Sequence, residues 1–267
     1  MDITVILPIH EINEEVEKYV GNAVTSIRDQ IKIDEKPKLL VVCPESIISQ
    51  VKDLVIPKSG DVDVNVIAND GNSKFQAQVN HAVKQVDTNY FSILELDDEY
   101  SNTYFYHANL HTQRFNDVDL FLSMIVETTD NDKILQFTNV SIWSRDFVGQ
   151  NGTMGYLNMN ALNEYTDFKT SGAIFKKSTY EEYGGFKTNI DLTFNYEFLL
   201  RLLHQGAKIY TIPRLGYKHV ATRKGSMFMN YSVTMSVPER KFWFDVAKRE
   251  APFLTDREID KTSMNVS

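Results

Sequence analysis

Short β-branched apolar runs, each followed by a segment long enough for a helix, leave this chain few folds to choose from. Ile3-Thr4-Val5-Ile6-Leu7 is such a run, closed by Pro8. Lys38 to Cys43 is a second, broken by Pro44; Val62 to Ala68 is a third and Tyr90 to Leu94 a fourth. Continuous apolarity is what a strand buried on both faces requires. Between the first two runs, Asn13 is placed to cap a helix. Val16, Tyr19, Val20, Ala23, Val24 and Ile27 recur there at i, i+3, i+4 spacing, with Glu14, Glu15, Glu17 and Lys18 left for water. Ser73 to Val86 reads as another helix. Strands alternating with helices give right-handed βαβ crossovers and a mainly parallel sheet. Ligands of such sheets sit beyond the carboxyl ends of the strands. That rule singles out Pro8–Glu11, Cys43–Ser46, Asn69–Ser73 and Glu95–Glu99.

From Asn102 the pattern changes. A helix is predicted over Tyr104–Phe115 and an apolar strand over Leu120–Val126. An Asn- and Gly-rich segment from Asp146 to Asn163 is expected to be a mobile loop. Gly184-Gly185-Phe186, a helix from Phe194 to His204, a strand at Lys208–Ile212 and a helix from Pro238 to Arg249 follow. No repeat or low-complexity stretch marks a boundary. The expected organisation is one α/β domain in two halves, 1–101 and 102–230, the second completing the site, with a helical tail at 231–267. At 42% apolar and 24% charged residues the composition is globular, not disordered. A net charge of −8 opposes binding to nucleic acid or anionic lipid. The single cysteine, Cys43, excludes an internal disulfide and a cysteine zinc cage. No run reaches the ~18 apolar residues of a transmembrane segment. The chain opens on a strand and not on a signal peptide, from which a cytoplasmic location is expected.

Leu94-Glu95-Leu96-Asp97-Asp98-Glu99 sets four carboxylates in five positions directly after a strand. Like charges this close raise one another's pKa unless a cation or donors offset them, and a divalent ion with oxygen ligands is the natural remedy. A solvated acidic turn is the bland alternative; the position at a strand's carboxyl end favours the metal.

The order and spacing of three pieces carry a resemblance. They are Val5-Ile6-Leu7-Pro8-Ile9-His10-Glu11, Leu94-Glu95-Leu96-Asp97-Asp98, and Gly184-Gly185-Phe186 followed by Glu197-Phe198-Leu199-Leu200-Arg201. From residue 3 to about residue 226 the chain resembles the family-2 inverting glycosyltransferases of the GT-A fold. The resemblance implies a Rossmann-like α/β domain with a C-terminal half completing the active site. It implies metal-dependent transfer of a sugar from a nucleoside-diphosphate sugar, UDP-sugar foremost, to a hydroxyl of a carbohydrate or other acceptor, with Mn2+ or Mg2+ as cofactor. Pro8 and Glu11 would lie beside the base, Glu95 would face the ribose and Asp97 would hold the metal, with Asp98 extending the motif. Asn80 keeps the Asn of the family's Arg-Asn-x-Gly while the Arg is lost, and Cys43-Pro44-Glu45-Ser46 stands where Asp-Asp-Gly-Ser is usual. Tyr217-Lys218-His219 with Arg223, Lys224 and Ser226 resembles the late Tyr-x-His…Ser segment. His219 would complete the metal site, and the three others would hold the departing diphosphate.

Inversion also needs a base for the acceptor hydroxyl. The family's Glu-Asp pair falls on Phe194 and Asn195 here, leaving Glu197 or Asp191, with Glu197 narrowly ahead; an i, i+4 salt bridge to Arg201 is its structural alternative. Gly185 and Phe186 are expected on the acceptor-side wall, and loops around 146–163 and 220–230 to order over the donor. Trp143 and Tyr156 are candidates to stack on sugar rings, with core packing the stronger reading for Trp143. Phe242-Trp243-Phe244 belongs to the core or to a peripheral contact, the core first. The missing pair keeps open a non-catalytic nucleotide-sugar or glycan-binding module. A nucleotidyltransferase is disfavoured, because Pro8–Asn13 has neither Gly nor Lys.

Overall fold

A computed structural model describes residues 1–145, 147, 152–223 and 226–262. Its first part alternates as the apolar runs require: β1 (Ile3–Pro8), α1 (Glu14–Arg28), β2 (Lys38–Cys43), α2 (Ile48–Ser59), β3 (Val64–Ala68), α3 (Phe75–Val83) and β4 (Tyr90–Ile93). Asn13 caps α1, its side-chain oxygen accepting from the Val16 N–H at 3.0 Å. The six apolar residues of the periodic stripe are the buried ones of α1. Then follow β5 (Glu99–Tyr100), α4 (Tyr104–Arg114), β6 (Leu120–Thr128), β7 (Ile134–Thr138), β8 (Tyr156–Leu157), α5 (Met159–Glu164), β9 (Ile174–Lys176), α6 (Lys177–Glu182), α7 (Phe194–His204), β10 (Ile209–Val220), α8 (Met227–Thr234) and α9 (Val237–Glu250).

The strands form one sheet in the order β3-β2-β1-β4-β9-β6-β10-β5, with β7 on β6 and β8 on β10. The long ladders are parallel, β3-β2-β1-β4 and β6-β10. The antiparallel ones are two to four residue pairs long. Successive strand residues point to opposite faces, so β1 and β2 feed two cores. Ile6, Leu40 and Val42 pack under α3, α7 and α9; Val5, Leu7, Leu39 and Val41 pack under α1, α2 and α4. Trp243 of α9 is fully buried with Val246 and Ala247 in the first of these cores, and Phe242 and Phe244 pack half-buried against it.

The sequence reading fails where elements are short. Ile174-Phe175-Lys176, inserted antiparallel between β4 and β6, is too brief to carry a periodic signal. The segment expected to be a mobile loop, 146–163, contains β8 and α5, the latter capped by Asn158 accepting from the Ala161 N–H at 2.9 Å; Asp146 and residues 148–151 lie outside the described residues. Likewise 220–230 is no open loop throughout: α8 starts at Met227 on a Ser226 cap. Lys224 lies outside the described residues. Trp143 and Tyr156 both pack on Tyr210, at 5.8 and 5.1 Å between ring centroids, and not on the ligand cleft. No described helix is long and apolar enough to cross a membrane.

Candidate active site

The carboxyl ends of β1, β4 and β10 converge on a cleft of about 410 Å3, within the range usual for small-molecule sites. Pro8 and His10 contribute from the end of β1, Ser73, Lys74 and Phe75 from the start of α3, and Glu95 and Asp97 from beyond β4. His219 comes from the end of β10, Arg223 and Ser226 from the turn before α8, and Asp191 from ahead of α7. Of the segments that the topology rule singles out, Pro8, Ser73, Glu95 and Asp97 therefore meet in one cleft. Cys43–Ser46 does not line the cleft.

The acidic wall is held from several sides. Ser171 donates to Glu95 Oε1 at 2.6 Å, and the Glu95 N–H donates to the Tyr217 hydroxyl at 3.0 Å. Asp98, fully buried, accepts from the Val220 N–H at 2.9 Å and meets His219 Nδ1 at 2.9 and 3.1 Å. Asp97 is engaged by Arg223, Nε to Oδ2 at 2.7 Å. Burial is the first cause raising all three carboxyls above their ordinary range. The charge of Asp98 adds to it at Glu95, while Arg223 opposes it at Asp97 and His219 at Asp98. Burial pulls the His219 imidazole down, but the charge and hydrogen bond of Asp98, with the charge of Glu95, carry it up to about 9. An acid cluster this desolvated favours a cation in its midst.

Glu95, Asp98 and His219 offer one ligand atom each within 4.8 Å of one another. Two carboxylate oxygens and an imidazole are a donor set that suits Mn2+ or Mg2+. The resemblance pairs Asp97 with His219 as ligands. His219 belongs to the cluster, whereas Asp97 lines the cleft in an ion pair with Arg223, and Glu95, expected on the ribose, stands among the candidate ligands.

Five other expected residues are held elsewhere. Glu197 is fully buried, its carboxylate bound bidentately by Arg201 at 2.9 Å for both contacts and by Lys187 at 3.0 Å. A carboxylate locked in this way cannot reach an acceptor hydroxyl, so the narrow preference for Glu197 as base is corrected. Asn80 is consumed by the turn before α7: its amide donates to the Phe186 carbonyl at 2.7 Å, and its oxygen accepts from the Tyr180 hydroxyl and the Phe186 N–H. Gly185 serves the same turn. Its φ of +61° and the 2.7 Å that would separate a Cβ from Asn80 Oδ1 admit no side chain, and its carbonyl accepts from Arg201. Phe186 is core. Glu11 is exposed and accepts from Asn13 at 2.7 Å, outside the cleft lining.

Asp191 does line the cleft, its Oδ1 2.9 Å from Lys74 Nζ. Lys74 also donates to the Thr188 carbonyl at 3.1 Å, fixing the Asp191 loop to the start of α3. Lys74, His10 and Tyr231 escape a motif search because they are single residues brought in by separate elements. His10 had one usable signal, its place two residues beyond the end of β1. Burial, foremost, lowers its pKa.

No family model and no curated protein sequence matches the chain. Solved structures do. S. aureus TarS 1-349 in complex with UDP-GlcNAc matches with a TM-score of 0.66 and 15% identity, over 92% of this chain and 64% of that one. The same TarS segment in complex with UDP gives 0.63 and 13%, over 94% and 81%. The mannosyltransferase PcManGT from Pyrobaculum calidifontis, in complex with GDP-Man and Mn2+, gives 0.61 and 15%, over 93% and 64%. The chain thus spans about two thirds or less of the first-matched TarS structures, 64% and 37%. At these identities the likeness is one of fold. Over most of its length the chain has the GT-A architecture of these glycosyltransferases.

Proposed function

We propose that this chain moves a sugar from a nucleoside-diphosphate donor, a UDP-sugar foremost, to an acceptor hydroxyl with inversion at the anomeric carbon. The observation that carries the reading is the division of charge in one cleft. Glu95, Asp97, Asp98 and His219 gather on one wall, and Asp191 supplies a separate, solvent-reachable carboxylate. The named ligands of the matched structures, UDP-GlcNAc, UDP, and GDP-Man with Mn2+, support a nucleotide-sugar donor.

Glu95, Asp98 and His219 would hold the divalent ion, with Asp97 beside them. When bound, that ion supplies charge neutralisation and Lewis acidity at the diphosphate. Asp191 takes the proton of the acceptor hydroxyl as its oxygen forms the new bond to the anomeric carbon. The bond from that carbon to the diphosphate oxygen breaks, and its electron pair leaves with the diphosphate. Arg223 and the Ser226 hydroxyl line the same cleft and offer hydrogen bonds to the charged group that leaves.

The test is release of nucleoside diphosphate from a panel of UDP- and GDP-sugars with and without Mn2+. Release that needs the ion and is lost in Asp97→Ala and His219→Ala supports the enzyme. Tight nucleotide binding with no release or transfer across a broad acceptor panel would replace it with a binding module.

A further inference from the structure

A second cavity, of about 330 Å3, adjoins the cleft, and Tyr231 lines both. Its walls are largely apolar: Phe168, Leu192, Tyr196 and Phe244. The rings of Tyr196 and Phe244 are 5.6 Å apart and inclined at 61°. The Tyr196 hydroxyl donates to the Leu162 carbonyl at 2.7 Å, so its proton is not left for a ligand. Aromatic faces backed by a few polar groups suit the C–H faces of a sugar ring.

Arg240 of α9 also lines this cavity, half-buried. Its neighbours three and four positions away along the helix are Ser236, Val237, Trp243 and Phe244, none of them acidic. Among the described residues its guanidinium has no ion pair and no hydrogen bond. Lys169, the other cation of the lining, is already neutralised by Glu127 at 2.6 Å. Asp167, exposed at the edge, is the cavity's one acid. A guanidinium without a partner in a cavity with aromatic walls suits a planar or tetrahedral anion attached to a ring.

We infer that this second cavity is the acceptor site and takes a saccharide unit carrying a carboxylate or a phosphate, its ring against Tyr196 and Phe244 and its anion on Arg240. The inference rests on the transfer reading, since Leu192 and Thr193 of the lining directly follow the proposed base Asp191. Burial and the charge of Asp191 push the Tyr231 phenol up to about 12, in keeping with Tyr231 standing between the base and the second cavity.

The experiment is calorimetric titration of the full chain with β-linked disaccharides, each in neutral form, with a terminal uronic acid, and as the 6-phosphate. At least one acidic form should bind about ten-fold more tightly than its neutral parent, and which of the two does so identifies the anion. Arg240→Gln should erase that difference, and Phe244→Ala should weaken all three forms. Equal affinity for neutral and acidic forms, a preference that survives Arg240→Gln, or no saccharide binding at all overturns the inference. Binding of UDP with Mn2+ is measured separately by thermal shift. Its failure beside Arg240-dependent saccharide binding would remove the transfer reading and leave the cavity as a glycan site.

Discussion

At the scale of single residues, burial separates two carboxylates that look interchangeable in the sequence. Glu197 is enclosed by Lys187 and Arg201, all three essentially without solvent exposure. Removing the charge leaves two buried cations uncompensated, so Glu197→Gln should cost about 3–5 kcal/mol of stability, read as a lowered midpoint in urea. Asp191 is partly open to solvent and, among the described residues, is held by Lys74. Asp191→Asn should leave the midpoint nearly unchanged while lowering turnover about 10²- to 10⁴-fold. The reverse pattern would return Glu197 to the chemistry. Cys43 gives a second residue-level check. Its thiol is fully buried, and burial, its main cause, pushes the pKa up to about 11. At pH 8 the thiolate is then about 0.1% of the whole, and a disulfide reagent should label Cys43 only as the chain unfolds. Fast labelling of the native protein would contradict the packing of β2.

At the scale of elements, two short connections place the site. The turn between α6 and α7 is built on Gly185, whose left-handed backbone lies against Asn80 and Tyr180. Gly185→Ala should destabilise the protein by about 1–3 kcal/mol without selectively weakening nucleotide binding; a selective loss would restore Gly185 to the sugar wall. The segment before β9 carries Ser171, the donor to Glu95, and Lys169 ties it to β6 through Glu127. Burial alone would raise Glu127, but the Lys169 charge and hydrogen bond, with the Thr138 hydroxyl, hold its pKa below the ordinary glutamate value. A depressed carboxylate contributes stability that is full above its unfolded pKa and lost as pH falls through the folded one. Melting temperature should therefore drop below about pH 4.5 less steeply in Glu127→Gln than in the parent. Matching acid limbs would show that the pair contributes nothing.

At the scale of the molecule, the site exists only where the parallel half of the sheet meets the C-terminal half. Mn2+ with UDP should raise the melting temperature by mass action, and the rise should vanish in Glu95→Gln and His219→Ala; a rise that persists in both would place the ion elsewhere. The sheet and its main helices were legible because β1, β2, α1 and α7 each state their fold locally, through continuous apolar runs, a 3.6-residue stripe and a cap. The acidic motif was legible because strand order sends carboxyl ends to one side. Partner choice was not. Glu197 or Asp191 as base, and Asp97 or Glu95 beside His219, depended on which partners the folded chain delivers: Lys187 and Arg201, near in sequence, to Glu197, but Lys74 to Asp191 and Arg223 to Asp97 from more than a hundred residues away. Local sequence determined the elements, since backbone propensity and amphipathic spacing act over a few residues. Tertiary structure alone decided which of these side chains are paired and which stay open to the cleft, since ion pairing and desolvation depend on distances set by separate parts of the chain, more than a hundred residues apart for Asp97 and Arg223.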